Sequence, residues 1–310
     1  MRQSLELAKP TPREAVPDPE SMLRGLSGDT QLFELPKICY QAAGGGLPWA
    51  DHLELAWFLF YIAAHLMDNV EDQDDPGQLW ASYSPGVRIN VASGLFFTAA
   101  NSLNYLHHDG DSRAAANEII EVFYSSFLRM CSGQNEDLLN EKINLALYWR
   151  IASSKSGDFF GMGCWAGARL ATDDTTRLEG FRQFGYNLGI HKQIRDDLEE
   201  IQGLEDRLTR NNQIPGLGIQ PSDLSKLRRA LPIVYAYEVL PLPERIWIDQ
   251  YLESINPSQD DADKLLQILD RAGTALYVAA ELERYRSRAL TAIEQAGPNS
   301  QGKDILVSFL

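Results

Sequence analysis

The sequence predicts an all-α fold, with its 310 residues forming about eight to ten helices of a single domain. Along most of the chain, apolar residues recur at spacings of three and four, as on a helix with one buried face. Few runs show the alternation of apolar and polar residues that indicates strands. The segments with helical spacing are 51–72, 86–106, 112–131, 140–171, 175–203, 222–238, 242–255 and 260–295.

Short stretches that favour turns separate the predicted helices. Gly, Pro, Asn and Asp interrupt the helical pattern at 43–48, 74–77, 109–111, 211–216 and 256–257. Helix-start signals follow two of the breaks, at 172–174 and 221–223. The proline-rich residues 1–20 are predicted to be a flexible lead-in, so the helical domain is expected to span 21–310.

The chain is strongly acidic, with 28 Lys and Arg, 43 Asp and Glu, and a formal net charge of −15. This balance argues against nucleic acid as a partner, because nucleic acid needs a basic surface to replace its counterions. It does not exclude a phosphorylated substrate, since acidic residues bind a metal ion that in turn binds the anion.

The cysteine pattern and hydropathy bear on location. Cys39, Cys131 and Cys164 are far apart and odd in number, so we expect free thiols and a cytoplasmic protein. No stretch approaches the roughly 20 apolar residues of a membrane span. The first residues also lack the basic-then-apolar pattern of a signal peptide.

A first acidic cluster follows the apolar run 57–62. Asp68 and Asp72 are four residues apart and therefore share a helix face, with Asn69 and Glu71 beside them. Such a group of carboxylates is costly unless a cation offsets the repulsion. The alternative is a solvated helix end that runs into an acidic turn.

A second acidic cluster lies about 125 residues later, on another predicted helix. Asp196 and Glu200 are four apart, and Asp197 lies three residues before Glu200. The alternative here is an exposed helix with internal pairing of Arg195 and Glu199. If the two clusters face one cavity of a bundle, their oxygens suit Mg²⁺ ions that capture a diphosphate.

The two clusters and three further stretches resemble the motifs of one family. Residues 68–72 (DNVED) resemble the first aspartate-rich motif DDxxD of trans-isoprenyl diphosphate synthases, the polyprenyl synthetase family with the isoprenoid synthase fold. Residues 193–200 (QIRDDLEE) resemble its second motif, QIxDDxxD. The other similar stretches are 133–138 (GQNEDL), 148–160 around Lys155-Ser156, and, loosely, 223–232.

The resemblance implies a helical bundle around a deep apolar cavity in which an allylic prenyl diphosphate is ionised. It implies more than one Mg²⁺, bound by Asp68, Asp72, Asp196 and Glu200, with Asp197 as a further catalytic carboxylate. It also implies that Lys155 contacts the diphosphate, while Gln134, Asp137 and Gln193 line or support the site.

Small residues before the first motif bear on the length of the prenyl chain. By resemblance, side chains one and two turns before Asp68 form the floor under the prenyl group. Ala63 and Ala64 would open the pocket, and Phe60 would close it one turn deeper. A pocket of this depth would hold a prenyl chain of roughly C15–C20, within the range of about C10–C20 expected for the donor. The alternative is that both alanines serve only helix packing.

The chain also departs from the family pattern. Residues 34–37 keep only the proline of the N-terminal motif that helps to bind isopentenyl diphosphate, with leucine in place of its arginine. The paired arginines expected after the first motif are absent from 74–80. Lys192 replaces an aromatic residue before Gln193 and would supply part of the missing positive charge for substrate binding.

Three functions therefore remain open from the sequence. The chain either adds the prenyl group to isopentenyl diphosphate, or uses another acceptor or none. The second case resembles terpene synthases of this family and the bacterial enzymes that prenylate a pheromone tryptophan. The third possibility is a non-catalytic regulatory subunit of a prenyl synthase. By resemblance we also expect a homodimer, for which the apolar segment 89–106 is the candidate interface.

Overall fold

The computed structural model describes residues 30–46, 50–72, 80, 83–108, 113–140, 142–211, 221–254 and 257–310. Within these ranges the chain is almost entirely helical and contains no β-strand, which confirms the all-α class. The predicted lead-in, 1–20, lies outside them, as do residues 73–79. None of the described helices is both long and apolar enough to cross a membrane.

Thirteen α-helices are described. They are α1 (Leu35–Ala42), α2 (Asp51–Glu71), α3 (Pro85–Asn104), α4 (Arg113–Leu139), α5 (Leu145–Ala152), α6 (Asp158–Arg169), α7 (Thr175–Asn211), α8 (Pro221–Arg229), α9 (Leu231–Val239), α10 (Leu242–Leu252), α11 (Gln259–Arg271), α12 (Thr274–Ala296) and α13 (Ser300–Val307). Two 3-10 turns, Thr30–Glu34 and Tyr105–His108, and a π-helical turn, Ser153–Gly157, complete the described elements.

The long helix α7 lies at the centre of the bundle and packs along α6 and α12. Its inward residues Phe181, Phe184 and Leu188 are fully buried. A β-carbon on Gly185 would lie 2.3 Å from the carbonyl oxygen of Phe160. Glycine is therefore required here for the close approach of α6 and α7. This packing fixes the second acidic cluster relative to the helix that follows Lys155.

Aromatic packing fixes α2, the helix that carries the first acidic cluster. Trp57 stacks on Phe159 of α6, with ring centroids 4.0 Å apart and planes 12° apart. Its ring nitrogen donates a hydrogen bond to the carbonyl oxygen of Leu32 at 3.0 Å. Both α2 and α6 are thus held to the first described turn of the chain, and the buried indole keeps a partner.

The predicted boundaries differ from the observed ones where the backbone changes course. The segment 260–295 is two helices, because Gly273 adopts a left-handed conformation with φ of 73°. Ser258 begins α11 with a capping box that involves Asp261. The segment 140–171 is likewise two helices, joined by the π-helical turn. Helices α1 and α13 were not predicted.

Candidate active site

A cavity of about 740 Å³ lies between α2, α4, α7 and the turn that joins α5 to α6. Its lining changes along α2, from Tyr61 and Ala64 to the carboxylates of Asp68 and Asp72. The rise of a helix separates the first and last of these residues by about 16 Å. The cavity therefore has an apolar part and an acidic part, which suits a ligand with a charged head and an apolar tail.

The first acidic cluster is held in an alternating row of charges. Lys155 Nζ donates to Asp68 Oδ1 at 3.1 Å and lies 3.4 Å from Asp137 Oδ2 on α4. Arg229 contacts the other oxygen of Asp137 at 3.4 Å through Nε, and Asp72 Oδ1 at 3.5 Å through Nη1. We call this row, Asp68–Lys155–Asp137–Arg229–Asp72, the charge chain. It contains three carboxylates and two cations, so one negative charge is left over.

The charge chain also sets the protonation of its members. Burial raises the pKa of Asp72 to about 6, and the charge of Asp68 adds to this, while Lys155 and Arg229 oppose it. Burial lowers the pKa of Lys155, but the carboxylates of Asp68 and Asp137 outweigh this and leave it above its usual value. Lys155 is therefore an ammonium ion at neutral pH, and an additional cation beside Asp72 would favour its carboxylate form.

The carboxylates of the second acidic cluster line the cavity from α7. Asp196 and Glu200 line the cavity, and burial raises the pKa of Asp196. Glu200 Oε1 lies 4.0 Å from Lys226 Nζ on α8. Arg195 and Glu199 form the anticipated pair at 3.9 Å, and Glu199 also lines the cavity. The Arg195–Glu199 pair, which was the alternative interpretation of this segment, is therefore present together with carboxylates that face the cavity.

Asp197 holds three neighbouring elements together. Its Oδ2 accepts hydrogen bonds from the Tyr148 hydroxyl at 2.6 Å and the Leu231 backbone N–H at 2.8 Å. Its Oδ1 accepts a bond from Gln193 Nε2 at 2.9 Å. Burial raises the pKa of Asp197 to about 7 despite these donors. Both oxygens have protein partners, so this carboxylate positions α7 against α5 and α9.

Lys155 enters the cavity from the π-helical turn. Two serines within the turn bond back to carbonyl oxygens four residues earlier, Ser153 to Trp149 at 2.6 Å and Ser154 to Arg150 at 3.0 Å. Such back-bonding bends helices, and single π turns inside helices are frequent at functional sites. The turn directs Lys155 between Asp68 and Asp137.

The same turn is tied to α7 next to the second acidic cluster. Ser156 Oγ donates to Gln193 Oε1 at 2.9 Å, so Gln193 connects the turn to Asp197. A β-carbon on Gly189 would lie 2.3 Å from the Ser156 carbonyl oxygen. Lys155 therefore depends on this glycine for its position relative to α7.

The apolar end of the cavity differs in part from the sequence prediction. Ala64 lines the cavity, but Ala63 is fully buried in a cluster with Leu66 and Ala92, between α2 and α3. Successive helix residues point about 100° apart, and this rotation directs Ala63 towards α3. The predicted contact of Ala63 with substrate is therefore corrected to a packing role.

Phe60 is also displaced from its predicted place at the floor. It is buried behind Phe96 and Phe127, whose ring centroids lie 5.9 Å and 5.6 Å from its own. Phe96 and Phe127 line the cavity, whereas Phe60 does not. The floor is therefore built by α3 and α4, which the spacing along α2 alone did not reveal, and Phe60 supports it from behind.

The remaining predicted residues and one unpredicted residue also face the cavity. Gln134, Gln193 and Lys192 line it. Arg229 was not singled out, although it lies in the stretch 223–232 that matched the family pattern loosely. Its three-residue spacing from Lys226 on a helix was the available signal, because such residues share a face.

The donor set fits magnesium. Carboxylate oxygens are the ligands that Mg²⁺ prefers, and this ion usually keeps waters and binds one or two carboxylates together with substrate phosphates. Among the described residues, no three acidic, histidine or cysteine side chains converge on one point. The four predicted ligands are divided between α2 and α7, so each ion would need oxygens from the diphosphate and water as well.

The structure also bears on the missing basic motifs. Lys37, the one cation of the stretch 34–37, pairs with Asp51 at 3.1 Å and Glu54 at 2.9 Å on α2. Its hydrogen bond to Glu54 contributes most to raising its pKa to about 12. This lysine does not line the cavity. Residues 74–79, where the paired arginines are missing, lie outside the described ranges.

Known proteins with a similar sequence or fold were found by comparison. The tryptophan prenyltransferase ComQ of Bacillus subtilis is 22% identical over 289 residues, which cover 92% of this chain and 88% of that protein. A geranylgeranyl pyrophosphate synthetase structure from Pyrococcus horikoshii matches with a TM-score of 0.75 and 19% identity, over 94% of this chain and 88% of that one.

A further solved structure contains a ligand. The polyprenyl synthase of Caulobacter crescentus, complexed with calcium and isoprenyl diphosphate, matches with a TM-score of 0.72 and 18% identity, over 94% of this chain and 90% of that one. These likenesses establish the fold. The polyprenyl synthetase family model matches residues 39–269, about three quarters of the sequence. The chain therefore belongs to the polyprenyl synthetase family of prenyl-transferring enzymes.

Proposed function

We propose that this protein ionises an allylic prenyl diphosphate of about C10–C20 with the help of Mg²⁺ and transfers the prenyl group to an acceptor. The observation that carries the proposal is the shared cavity. The charge chain and the carboxylates of Asp196 and Glu200 face the same space, and this space extends to the rings of Phe96 and Phe127.

The residues of the cavity have separate roles in this reaction. Asp68, Asp72, Asp196 and Glu200 would hold more than one Mg²⁺, which when bound offsets the charge of the departing diphosphate. Lys155 would donate to the diphosphate oxygens as the bond to carbon breaks. Asp137 holds the Lys155 ammonium group in place through the charge chain. The aromatic walls would exclude water from the allylic cation.

The charges of the cavity favour an acceptor without a second diphosphate. Among the described residues the lining contains eight carboxylates and four Lys or Arg side chains. Each diphosphate therefore needs metal ions to compensate it, and a second one would need more positive charge than these four cations supply. The relative from Bacillus subtilis is named for prenylation of tryptophan, an uncharged acceptor.

A homodimer and a cytoplasmic location belong to the same proposal. The exposed face of α3 contributes apolar side chains that a second copy would cover. Phe97 is 78% exposed and Ile89 is 42% exposed, both within the predicted interface 89–106. Analytical ultracentrifugation of the purified protein tests this part, and a monomer at micromolar concentration contradicts it.

The proposed reaction is tested by pyrophosphate release from geranyl, farnesyl and geranylgeranyl diphosphate, with Mg²⁺ or with EDTA. We expect release that requires Mg²⁺ and that falls about 100-fold or more in Asp68→Asn. Asp173→Asn is the matched control, because this carboxylate is 88% exposed and pairs only with Arg169 among the ion pairs of the described residues. It should release pyrophosphate at the wild-type rate.

Isopentenyl diphosphate separates the two acceptor classes. If release of pyrophosphate depends on isopentenyl diphosphate, chain elongation is the reaction and the argument from cavity charge is wrong. Release without isopentenyl diphosphate supports another acceptor, or a terpene synthase-like reaction without one, and product analysis distinguishes these two. Absence of turnover with every donor, alone and with tryptophan-containing peptides, would instead favour the non-catalytic regulatory subunit.

A further inference from the structure

Tyr186 on α7 contacts both ends of the π-helical turn that carries Lys155. Its hydroxyl donates to Ser153 Oγ at 2.8 Å, at the first residue of the turn. Its ring packs against the last residue, since a β-carbon on Gly157 would lie 2.8 Å from Tyr186 Cε2. One side chain of α7 therefore spans the five-residue turn, and Lys155 lies between its two points of contact.

The hydroxyl groups of Tyr186 and Ser153 form a directed row of hydrogen bonds. Ser153 uses its one proton to donate to the carbonyl oxygen of Trp149, four residues earlier, at 2.6 Å. It therefore accepts the bond from Tyr186 and cannot donate it. A hydroxyl that accepts one hydrogen bond donates the next more strongly. Tyr186 thus strengthens the bond from Ser153 to the backbone, which is of the kind that bends helices.

Tyr186 and Ser153 lie behind the cavity. Neither residue is part of the cavity lining, whereas Lys155 is. Tyr186 is partly buried and packs against the apolar cluster between α5, α7, α9 and α12, so the bundle itself holds its ring in place. An effect of Tyr186 on substrate binding would therefore be transmitted through the turn.

The geometry of the turn determines the direction of Lys155. If the π-helical turn returned to α-helical geometry, the helix register would shift by about one residue, or about 100° around the axis. Lys155 would then turn away from Asp68 and Asp137, from which its Nζ lies 3.1 and 3.4 Å. The contacts of Tyr186 oppose this change because they hold both ends of the turn.

We propose that Tyr186 is a positioning residue, which holds Lys155 at the place where the diphosphate of the prenyl donor binds. The inference rests on the proposed function, in which Lys155 donates to the diphosphate, and adds to it a residue outside the cavity. Tyr186 does not touch the substrate in this arrangement. It acts through the hydrogen bond to Ser153 and the ring contact with Gly157.

Isothermal titration with inorganic pyrophosphate at saturating Mg²⁺ tests the inference without turnover. Tyr186→Phe keeps the ring and removes the hydroxyl. We expect it to weaken pyrophosphate binding about three- to tenfold, the range given by the loss of one neutral hydrogen bond. Ser153→Ala removes the acceptor and should also weaken binding. Adding Tyr186→Phe to Ser153→Ala should then change the affinity by less than about twofold, because the shared bond is already lost.

Tyr237→Phe is the matched control. The Tyr237 hydroxyl donates to Asp249 Oδ1 at 2.7 Å, a bond of similar length that joins α9 to α10, and this tyrosine does not line the cavity. Its pyrophosphate affinity should stay within about twofold of the wild type. Equal weakening in Tyr186→Phe and Tyr237→Phe would indicate a general loss of structure and overturn the inference. Thermal melting checks that each variant is folded, and Ser153→Ala carries the test if Tyr186→Phe does not fold.

Lys155→Met shows whether the effect of Tyr186 passes through this lysine. In the Lys155→Met protein, Tyr186→Phe should change pyrophosphate affinity by less than about twofold, because no ammonium group is left to misplace. A further loss as large as in the wild type overturns the inference. If Lys155→Met binds too weakly to measure, a crystal structure of Tyr186→Phe decides. Displacement of Lys155 from Asp68 and Asp137 supports the inference, and an unmoved lysine overturns it.

The wild-type titration separates this inference from the proposal on which it rests. If the wild type fails to bind pyrophosphate with Mg²⁺, the proposed function and the inference both fail. If the wild type binds pyrophosphate and both Tyr186→Phe and Ser153→Ala bind it equally well, only the inference fails. Weakening in these two variants together with wild-type binding in Tyr237→Phe supports both.

Discussion

Burial and hydrogen bonding shift the pKa of the Asp197 carboxyl group in opposite directions. Three donors favour its charged form, and burial favours its protonated form more strongly, which places its pKa near 7. Its usual value is 3.8, so the folded protein binds a proton here that the unfolded chain releases. The stability that this group contributes is therefore greatest at low pH and falls as the pH rises through 7.

Replacement of Tyr148 by Phe tests this competition. The change removes the hydroxyl that donates to Asp197 Oδ2 at 2.6 Å and should raise the pKa of Asp197 further. We expect the free energy of unfolding to fall by about 1–3 kcal/mol near pH 8, and by less near pH 5.5, where the carboxyl group is mostly protonated. Urea denaturation at the two pH values measures the difference.

Tyr251→Phe is the matched control for that measurement. Tyr251 is also buried, but its hydroxyl has no hydrogen-bond partner within the described part of the chain. Its removal should cost little stability, and the cost should not depend on pH in this range. Equal losses at pH 5.5 and 8 for Tyr148→Phe would contradict the role assigned to Asp197.

His191 makes the stability of the protein depend on pH in the opposite direction to Asp197. Burial, together with Arg195, Arg286 and Lys192, lowers its pKa from 6.5 to about 4, and the opposing effect of Glu283 is smaller. Between these pH values the unfolded chain takes up a proton that the folded protein does not. Stability should therefore decline as the pH falls from about 6.5 towards 4.

Replacement of His191 by Gln should reduce that decline. We expect the stability lost between pH 7 and pH 5 to be smaller by about 1 kcal/mol in this variant than in the wild type. His52→Gln is the control, since His52 is exposed and stacks on Tyr105 at the surface. If the stability of the wild type and of His191→Gln changed equally with pH, burial would not hold His191 in its neutral form.

At the scale of elements, the π-helical turn and α7 form one unit that places Lys155. Gly189 permits the contact, because its would-be β-carbon lies 2.3 Å from the carbonyl oxygen of Ser156. We expect Gly189→Ala to lower the free energy of unfolding by about 1–3 kcal/mol through this overlap. It should also weaken pyrophosphate binding, since the turn moves with Lys155. Thermal melting and calorimetry measure the two effects.

Gly86→Ala is the control for this change. Gly86 lies in the first turn of α3, before the proposed interface 89–106, with open space around its would-be β-carbon. Because alanine favours the helix more than glycine does, this variant should be more stable by about 0.5–1 kcal/mol and should bind pyrophosphate normally. A Gly189→Ala protein with wild-type stability would show that the turn moves away from α7 without cost.

The helices were predictable where the amphipathic pattern extends over many residues. They were less predictable where contacts with other helices determine the backbone conformation. Helices α2, α3 and α7 begin close to their predicted starts. The π-helical turn was not predictable, because serines that bond back to carbonyl oxygens also occur in ordinary helices. Helices α1 and α13 have eight residues each, too few for a periodic pattern to identify.

At the scale of the whole molecule, the acidic residues of the site were easier to predict than their partners. The spacing of Asp68 and Asp72 places both on one face of a single helix, which depends only on local geometry. The contact of Arg229 with Asp72 depends on how α8 returns to α2, more than 150 residues away in sequence. No local pattern encodes that return.

The assembled bundle, and no single helix, also sets the depth of the cavity. The floor is made where α3 and α4 bring Phe96 and Phe127 together, at a centroid distance of 4.5 Å. In the proposed function, a prenyl tail that enters between the acidic walls would end at these rings. Loss of one ring would therefore lengthen the space available to the tail while the acidic part stays unchanged.

We expect Phe127→Ala to shift donor preference towards longer chains. Competition with Mg²⁺ present should show geranylfarnesyl diphosphate gaining affinity relative to geranylgeranyl diphosphate, which is one isoprene unit shorter, by about 10-fold if that further unit becomes buried. Leu128→Ala is the matched control, because Leu128 is 69% exposed, does not line the cavity and should leave the preference unchanged. An unchanged preference in a folded Phe127→Ala protein would mean that the prenyl tail leaves the acidic site by another route.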